Sequence, residues 1–272
     1  MNKPTIGIIG MGFVGNAIFQ TINQSFKVLT YDINKYKCNS TLSSLSQKCK
    51  IIFICLPTPT DKKGECNTES IKDTISQINK FSKDNILILK STVSIGTTQK
   101  LSEIFKNFTL VHNPEFLTEK NSVSDFKNTT RIILGGSKSA TSIVSEFYCK
   151  LFPDATIVQT NSNSSELIKY TTNAFLATKV LFANEIYEVC SKLEINYNEI
   201  IDSVKLDARI GKSHWSVPGN DGKVGFGGSC LPKDLLSFTN DFYKLSLSPT
   251  LLEAVIEKNN VLRKKNNLNE RT

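Results

Sequence analysis

The chain has 272 residues, which at roughly 150 residues per domain predicts two domains, and its 39% hydrophobic content is enough for a core in each. No apolar run approaches the ~18 residues of a membrane span, and the first residues lack the basic and apolar stretches of a secretion signal, so a cytoplasmic protein without membrane insertion is expected. The net charge of +8, from 33 Lys and Arg against 25 Asp and Glu, is spread along the chain apart from a C-terminal group (Lys258, Arg263, Lys264, Lys265, Arg271) with no interleaved aromatics, which argues against nucleic acid and for small anionic ligands or a solvated surface.

In the first half, short β-branched runs alternate with segments of helical period, the pattern of βαβ units around a parallel sheet. Strands are expected at 5–9, 27–31, 51–56, 86–90, 109–111, 131–134 and 156–158, with helical stretches such as 16–23, 71–81 and 141–151 between them. A polar stretch at 161–165 then caps a long helical segment from 166 to about 193, and the domain boundary is placed there: 1–162, then 163–272. The second part reads as mostly helical, interrupted by a Gly-rich loop at 211–228. Pro249 opens a last amphipathic helix carrying Leu251, Leu252, Val255, Ile256 and Leu262. The fold class is thus α/β, an N-terminal Rossmann-type domain followed by a helical one.

Gly10-Met11-Gly12-Phe13-Val14-Gly15 follows the first strand and opens the first helix, the context in which G-x-G-x-x-G reads as a dinucleotide fingerprint. Gly10 serves the tight turn, Gly12 lets the backbone approach a pyrophosphate, Gly15 lets helix and sheet pack, and the helix N-terminus attracts phosphate. Asp32 ends the second strand, where a carboxylate accepts bonds from the ribose hydroxyls and repels a 2′-phosphate. NAD is therefore expected rather than NADP.

The cysteines are Cys38, Cys49, Cys55, Cys66, Cys149, Cys190 and Cys230; their odd number and the lack of a C-x-x-C pair exclude a zinc-ribbon reading, predict no metal, and argue for a reducing compartment. Six read as inert side chains. Cys230 differs, because Gly225, Gly227 and Gly228 precede it and allow ligand and thiol to approach closely, while Pro232 suits the first turn of a helix beginning after it. A thiol at a helix N-terminus has its thiolate favoured for attack.

The segment Gly225-Phe226-Gly227-Gly228-Ser229-Cys230-Leu231-Pro232-Lys233-Asp234 resembles the G-F-G-G-x-C-x-P-K-D signature of the UDP-glucose/GDP-mannose dehydrogenase family. Further landmarks of that family follow in order: Leu56-Pro57-Thr58-Pro59, Ser91-Thr92-Val93 with Gly96-Thr97, Asn113-Pro114-Glu115-Phe116-Leu117 with Glu119, Lys169 with Asn173, and Asp207-Ala208-Arg209-Ile210. The approach to the cysteine loop at 213–219 is most similar to members acting on UDP-glucose.

The resemblance implies a four-electron oxidation of a nucleotide sugar, UDP-glucose to UDP-glucuronate, with two NAD used in succession and Cys230 carrying a thiohemiacetal and then a thioester. It implies that Phe13, Val14, Pro57, Thr58, Thr92 and Glu115 join the glycines and Asp32 at the cofactor. Glu115, Phe116, Leu117, Lys169, Arg209, Phe226 and Gly227 are implied at the substrate. Lys169 and Asn173 would surround the reacting oxygen, and their i, i+4 spacing puts both on one helix face. Thr92, Glu119 and Asp234 would position or deprotonate water. Arg209 would reach the substrate of a neighbouring subunit, which implies a homodimer through the central helices. His112 and His214 read as structural or substrate-lining.

The chain departs from the family at Ser94-Ile95, where prolines are usual, and at Thr118, where arginine is common. Full-length members continue into a second Rossmann-like domain that holds the base and phosphates, for which no residues remain. Two competing readings are a non-catalytic NAD-binding module that needs a partner domain, and a β-hydroxyacid dehydrogenase. Neither has a use for a glycine-flanked thiol.

Overall fold

The computed structural model describes residues 3–269, and the side chains up to residue 264; Arg271 of the basic C-terminal group lies outside the described residues, and the Lys265 side chain is likewise not described. The chain forms two compact units, Met1–Pro59 with Cys66–Lys169, and Thr60–Glu65 with Tyr170–Thr272.

The first unit is built on strands β1 (Thr5–Ile9), β2 (Lys27–Tyr31), β3 (Ile51–Ile54), β4 (Ile86–Leu89), β5 (Thr109–His112), β6 (Arg131–Gly135) and β7 (Thr156–Thr160). They form one sheet in the order β2-β1-β3-β4-β5-β6-β7. Every neighbouring pair is parallel except β5 with β6, antiparallel at the single pair His112 and Gly135. The helices of this unit are α1 (Phe13–Ile22), α2 (Leu42–Lys48), α3 (Glu69–Phe81), α4 (Thr97–Ile104), α5 (Ser122–Lys127), α6 (Lys138–Leu151) and the opening turns of α7 (Ser162–Leu193).

The inner strands β1 and β3–β6 are apolar on both faces because both faces are covered, whereas the edge strands β2 and β7 are partly exposed. In β4, Ile86 and Ile88 pack with Ile18, Ile22, Val144 and Phe147 of α1 and α6. Leu87 and Leu89 point the other way, onto Leu45, Ile71, Ile75 and Leu101 of α2, α3 and α4. The period of two thus divides one strand between two cores.

The expected strands all form, β1 and β2 with the bounds expected and the others with shifted ends. The strands expected to reach residues 56 and 90 stop at Ile54 and Leu89, where the chain leaves the sheet. Helices begin earlier than apolar periodicity suggests, at α6 because a side-chain cap sets the start. The α1 helix begins at Phe13 directly after Gly12, and α6 at Lys138, where the Ser137 hydroxyl accepts a hydrogen bond from the Ala140 amide. The polar stretch at 161–165 is itself largely helical: Asn161 Oδ1 accepts from the Ser164 N–H at 2.8 Å, and α7 runs from Ser162. Further along α7, the buried Glu166 carboxylate accepts from the backbone amides of Gly96 at 2.6 Å and Thr98 at 2.8 Å, capping α4 from a distance.

The second unit contains the rest of α7, then α8 (Tyr197–Val204), α9 (Leu231–Lys244) and α10 (Thr250–Asn269). Ala183, Cys190, Tyr197, Ile201 and Trp215 form a buried cluster. It is pinned by Tyr197 OH donating to the Trp215 carbonyl at 2.6 Å and Trp215 Nε1 donating to the Gly211 carbonyl at 3.0 Å. Tyr170 of α7 stacks on Phe238 of α9 with ring centroids 5.5 Å apart.

Candidate active site

The turn after β1 has the stereochemistry a dinucleotide requires. Gly10 has φ +89° and donates to the Tyr31 carbonyl; a Cβ there would lie 2.5 Å from the Cys55 carbonyl oxygen. A Cβ at Gly15 would lie 2.0 Å from the Gly10 carbonyl oxygen, whereas one at Gly12 would meet nothing within 4 Å. Gly12 is the N-cap of α1 and supplies no side-chain bond, so the first amides of the helix, at Phe13 and Val14, are open to an anion. Asp32 Oδ2 accepts from the Met11 N–H at 2.6 Å and Oδ1 from the Asn34 N–H at 2.8 Å. These two amides orient the carboxylate and leave each oxygen a further lone pair. A cleft of about 540 Å³ lies beside it, lined by Met11, Gly12, Phe13, Asn16, Tyr36 and Cys38 among others. An open glycine cradle, an open helix N-terminus and an oriented carboxylate fit NAD.

The ends of β3, β4 and β5 carry the next group. The buried Thr58 hydroxyl donates to the Thr92 carbonyl at 2.6 Å, and Ser91 Oγ donates to the Leu56 carbonyl at 2.6 Å, tying the two loops together; Pro57 is exposed. Lys169 is 3% exposed and its Nζ donates to the Glu115 carbonyl at 2.7 Å and to Glu115 Oε1 at 3.0 Å. Glu115 Oε2 accepts from the Leu117 N–H at 2.5 Å, and the Phe116 ring lies 5.4 Å from the same ammonium. Glu115, Phe116, Leu117 and Lys169 are therefore one cluster. Glu119 stands exposed on a 3-10 turn at Glu119–Asn121.

Lys90 escapes sequence reasoning. It follows β4 and is 4% exposed, with Nζ donating to Asn113 Oδ1 at 3.0 Å and the Phe126 ring 5.8 Å away. The same Asn113 oxygen accepts from Tyr148 OH at 2.5 Å, and Asn113 Nδ2 donates to the Ile133 carbonyl. Burial, which disfavours the ammonium, pulls Lys90 down to about 8. His112 is fully buried with Nδ1 2.8 Å from Ser165 Oγ, and burial followed by the Lys90 charge lowers it to about 3. A lysine preceding Ser91-Thr92 at the end of an apolar run was the available signal.

In the second unit Cys230 is the N-cap of α9, half-buried, with Pro232 in the first turn. Its carbonyl accepts from the Asp234 N–H at 2.9 Å, and Ser229 Oγ lies 3.6 Å from Sγ. Asp234 is 1% exposed; Oδ2 accepts from Asn173 Nδ2 at 2.6 Å and Oδ1 from Lys233 Nζ at 2.6 Å. Arg209 is exposed and pairs with Asp207, whose carboxyl its guanidinium holds below the ordinary range. Phe226 is buried. Sequence reasoning assigns the glycines ahead of Cys230 to ligand approach; at two of them the close neighbour is protein. A Cβ on Gly225 would lie 2.6 Å from Asn259 Oδ1, and one on Gly227 2.8 Å from Arg263, while Gly228 faces open space.

No disulfide joins the seven cysteines, and burial pushes the Cys49 and Cys55 thiols up to about 12. Among the described residues no group of three or more His, Cys, Asp or Glu could hold a metal ion, and no helix is long and apolar enough to cross a membrane.

Residues 34–152 match the NAD binding domain of the UDP-glucose/GDP-mannose dehydrogenase family and residues 163–261 match its central domain. A UDP-glucose 6-dehydrogenase of Rickettsia prowazekii is 35% identical over 240 residues, 86% of this chain and 54% of that protein. One from Campylobacter jejuni is 30% identical over 292 residues, 95% of this chain and 72% of the relative. The chain thus spans about half the length of the rickettsial protein it matches. Among solved structures, a UDP-glucose dehydrogenase from Pyrobaculum islandicum superimposes with a TM-score of 0.84 at 24% identity, covering 96% of this chain and 68% of that one. A Mycobacterium tuberculosis 3-hydroxyisobutyrate dehydrogenase reaches 0.75 at 16% identity, covering 94% and 92%. At these identities the likeness concerns the fold.

Proposed function

Since this chain belongs to the UDP-glucose/GDP-mannose dehydrogenase family, we propose that it oxidises a nucleotide sugar, UDP-glucose, to the uronate through a covalent intermediate on Cys230. The observation that carries this reading is the half-buried Cys230 at the head of α9, one turn before an Asp234 locked by Asn173 and Lys233.

NAD, when bound, takes up the hydride in each of the two oxidations. In the first, the C6 alcohol loses a proton and a hydride to become an aldehyde. The Cys230 thiol then adds across that carbonyl, forming a C–S bond and placing the thiol proton on oxygen. Loss of the second hydride from this thiohemiacetal, with the hydroxyl proton, leaves a thioester; water cleaves the C–S bond, giving the acid and restoring the thiol. Lys169 supplies positive charge to the developing oxyanion and Asn173 a hydrogen-bond donor. Glu115 holds the Lys169 ammonium by two bonds. Asp234, Thr92 and Glu119 serve the hydrolytic water as base or positioning groups. Phe116, Leu117, Phe226 and Gly227 belong to the sugar side of the site.

A homodimer through the central helices is part of the proposal, supported by the exposed Phe175, Phe182 and Val189, seven residues apart on one stripe of α7, with Arg209 serving the neighbouring subunit. A cytoplasmic location suits seven cysteines without a disulfide.

The test is incubation with NAD and UDP-glucose. Two NADH per sugar and acid formation are expected, and Cys230→Ser should abolish acid and arrest the reaction at or before the aldehyde. Acid formation unchanged in that variant sinks the assigned nucleophile. Cofactor binding without NADH would indicate instead a binding module that needs a further domain.

A further inference from the structure

The loop leading into Cys230 is held by side chains that no motif singles out. Asn259 of α10 accepts from the Phe226 N–H through Oδ1 at 2.8 Å and donates to the Phe226 carbonyl through Nδ2 at 3.1 Å. This is a two-point clamp on one residue of backbone. One residue earlier, Asn184 Oδ1 accepts from the Gly225 N–H at 3.0 Å, and Arg263 Nη2 donates to the Gly225 carbonyl at 2.9 Å. Arg263 Nη1 also pairs with Asp221 at 2.6 Å, tying in the preceding stretch of the loop. All four polar atoms of residues 225 and 226 are thus satisfied by side chains from α7 and α10, with none left to a neighbouring strand or helix. Both Asn184 and Asn259 are buried.

The glycines follow from this clamp. Gly225 has φ +75°, and at 225 and 227 a side chain would collide with Asn259 and Arg263. A buried asparagine costs free energy unless both ends of its amide are bonded, and here both ends of Asn259 are used on a single target.

We propose that Asn259 and Arg263, with Asn184, are positioning residues that fix the 225–228 backbone and so hold the Cys230 thiol at the head of α9. The proposal rests on the reading of Cys230 as nucleophile. When the clamp is loosened, the backbone leading into α9 is no longer fixed and the thiol loses its defined approach to an electrophile. Asn259→Asp retains the acceptor for the Phe226 N–H but sets a carboxylate against the Phe226 carbonyl. Arg263→Gln alters a partly exposed side chain and spares the core.

The full-length chain and both variants are treated with iodoacetamide at pH 7, and alkylation of the Cys230 peptide is followed by mass spectrometry alongside melting and NAD binding. In the folded variants the Cys230 rate should fall at least threefold, NAD affinity should hold, and Arg263→Lys should recover most of the rate. With UDP-glucose, kcat should fall in parallel while KM for NAD stays fixed. A Cys230 rate that stays the same or rises in a folded variant overturns the clamp. If the wild-type chain makes no NADH yet the alkylation rates fall as expected, the clamp stands and the oxidation reading fails.

Discussion

Asn173 on α7 and Asp234 on α9 are joined by a 2.6 Å hydrogen bond between Nδ2 and Oδ2, and the carboxylate is almost fully buried. The other oxygen of Asp234 is taken by Lys233. Asp234→Ala therefore leaves a buried amide without its acceptor, and a loss of about 1–3 kcal/mol is expected in urea unfolding. Acid formation should fall by roughly 10²- to 10⁴-fold if the carboxylate serves as base. A variant within about 0.5 kcal/mol of wild type would show that the bond contributes nothing net.

The three fingerprint glycines should separate in a substitution series. Gly12→Ala adds a methyl to open space, so melting should barely change while NAD affinity falls roughly tenfold or more, because the pyrophosphate can no longer approach. Gly15→Ala drives a Cβ to 2.0 Å from the Gly10 carbonyl oxygen and should lower both stability and affinity. Calorimetry with NAD distinguishes the two, and Asp32→Ala should weaken binding without unfolding the chain. Equal affinity in Gly12→Ala and wild type would remove the cradle assignment.

Lys90 has a folded value near 8 against about 10.5 when exposed, so the unfolded chain binds more protons between those pH values and stability rises with pH across that window. Below pH 8 the buried ammonium carries its full cost, of order 3 kcal/mol at most. Lys90→Met should accordingly be as stable as wild type or more so at pH 7, with the advantage shrinking toward pH 10.5. Unfolding curves at pH 7 and 10 check this; a difference that grows with pH contradicts it.

His112 titrates at the opposite end. Its folded value of about 3 lies below its ordinary 6.5, so stability is present above pH 6.5 and lost as the pH falls toward 3, when the unfolded chain takes up the proton first. His112→Gln keeps a polar group for Ser165 and removes the titration. Its acid-unfolding midpoint should move to lower pH, and an unmoved midpoint would assign the acid transition to other groups.

The sheet was legible because both of its faces are covered, so each strand reads as a short apolar block between turn residues. Helix starts were less legible: the polar stretch at 161–165 reads as a cap, yet all of it but Asn161 is already helix, and Ser137 caps α6, which starts three residues ahead of where the apolar period begins. The head of α9 could be read from Cys230 and Pro232 together. The surroundings of Lys90 and His112 were less legible, because Lys90 meets Asn113 and His112 meets Ser165, each of which lies far from its partner in sequence. The glycines before Cys230 announce a close approach without naming what approaches; Asn259 and Arg263 lie more than thirty residues further on.

The carboxylate of Glu166 reaches back 70 positions to finish the start of α4. A nascent chain emerging N-terminus first must wait for that residue before the Gly96 and Thr98 amides find their acceptor, so α4 gains its cap only after β7 has been made. A fragment trimmed after β7 would keep every strand and still melt early, whereas one extended through Lys169 retains its own keystone.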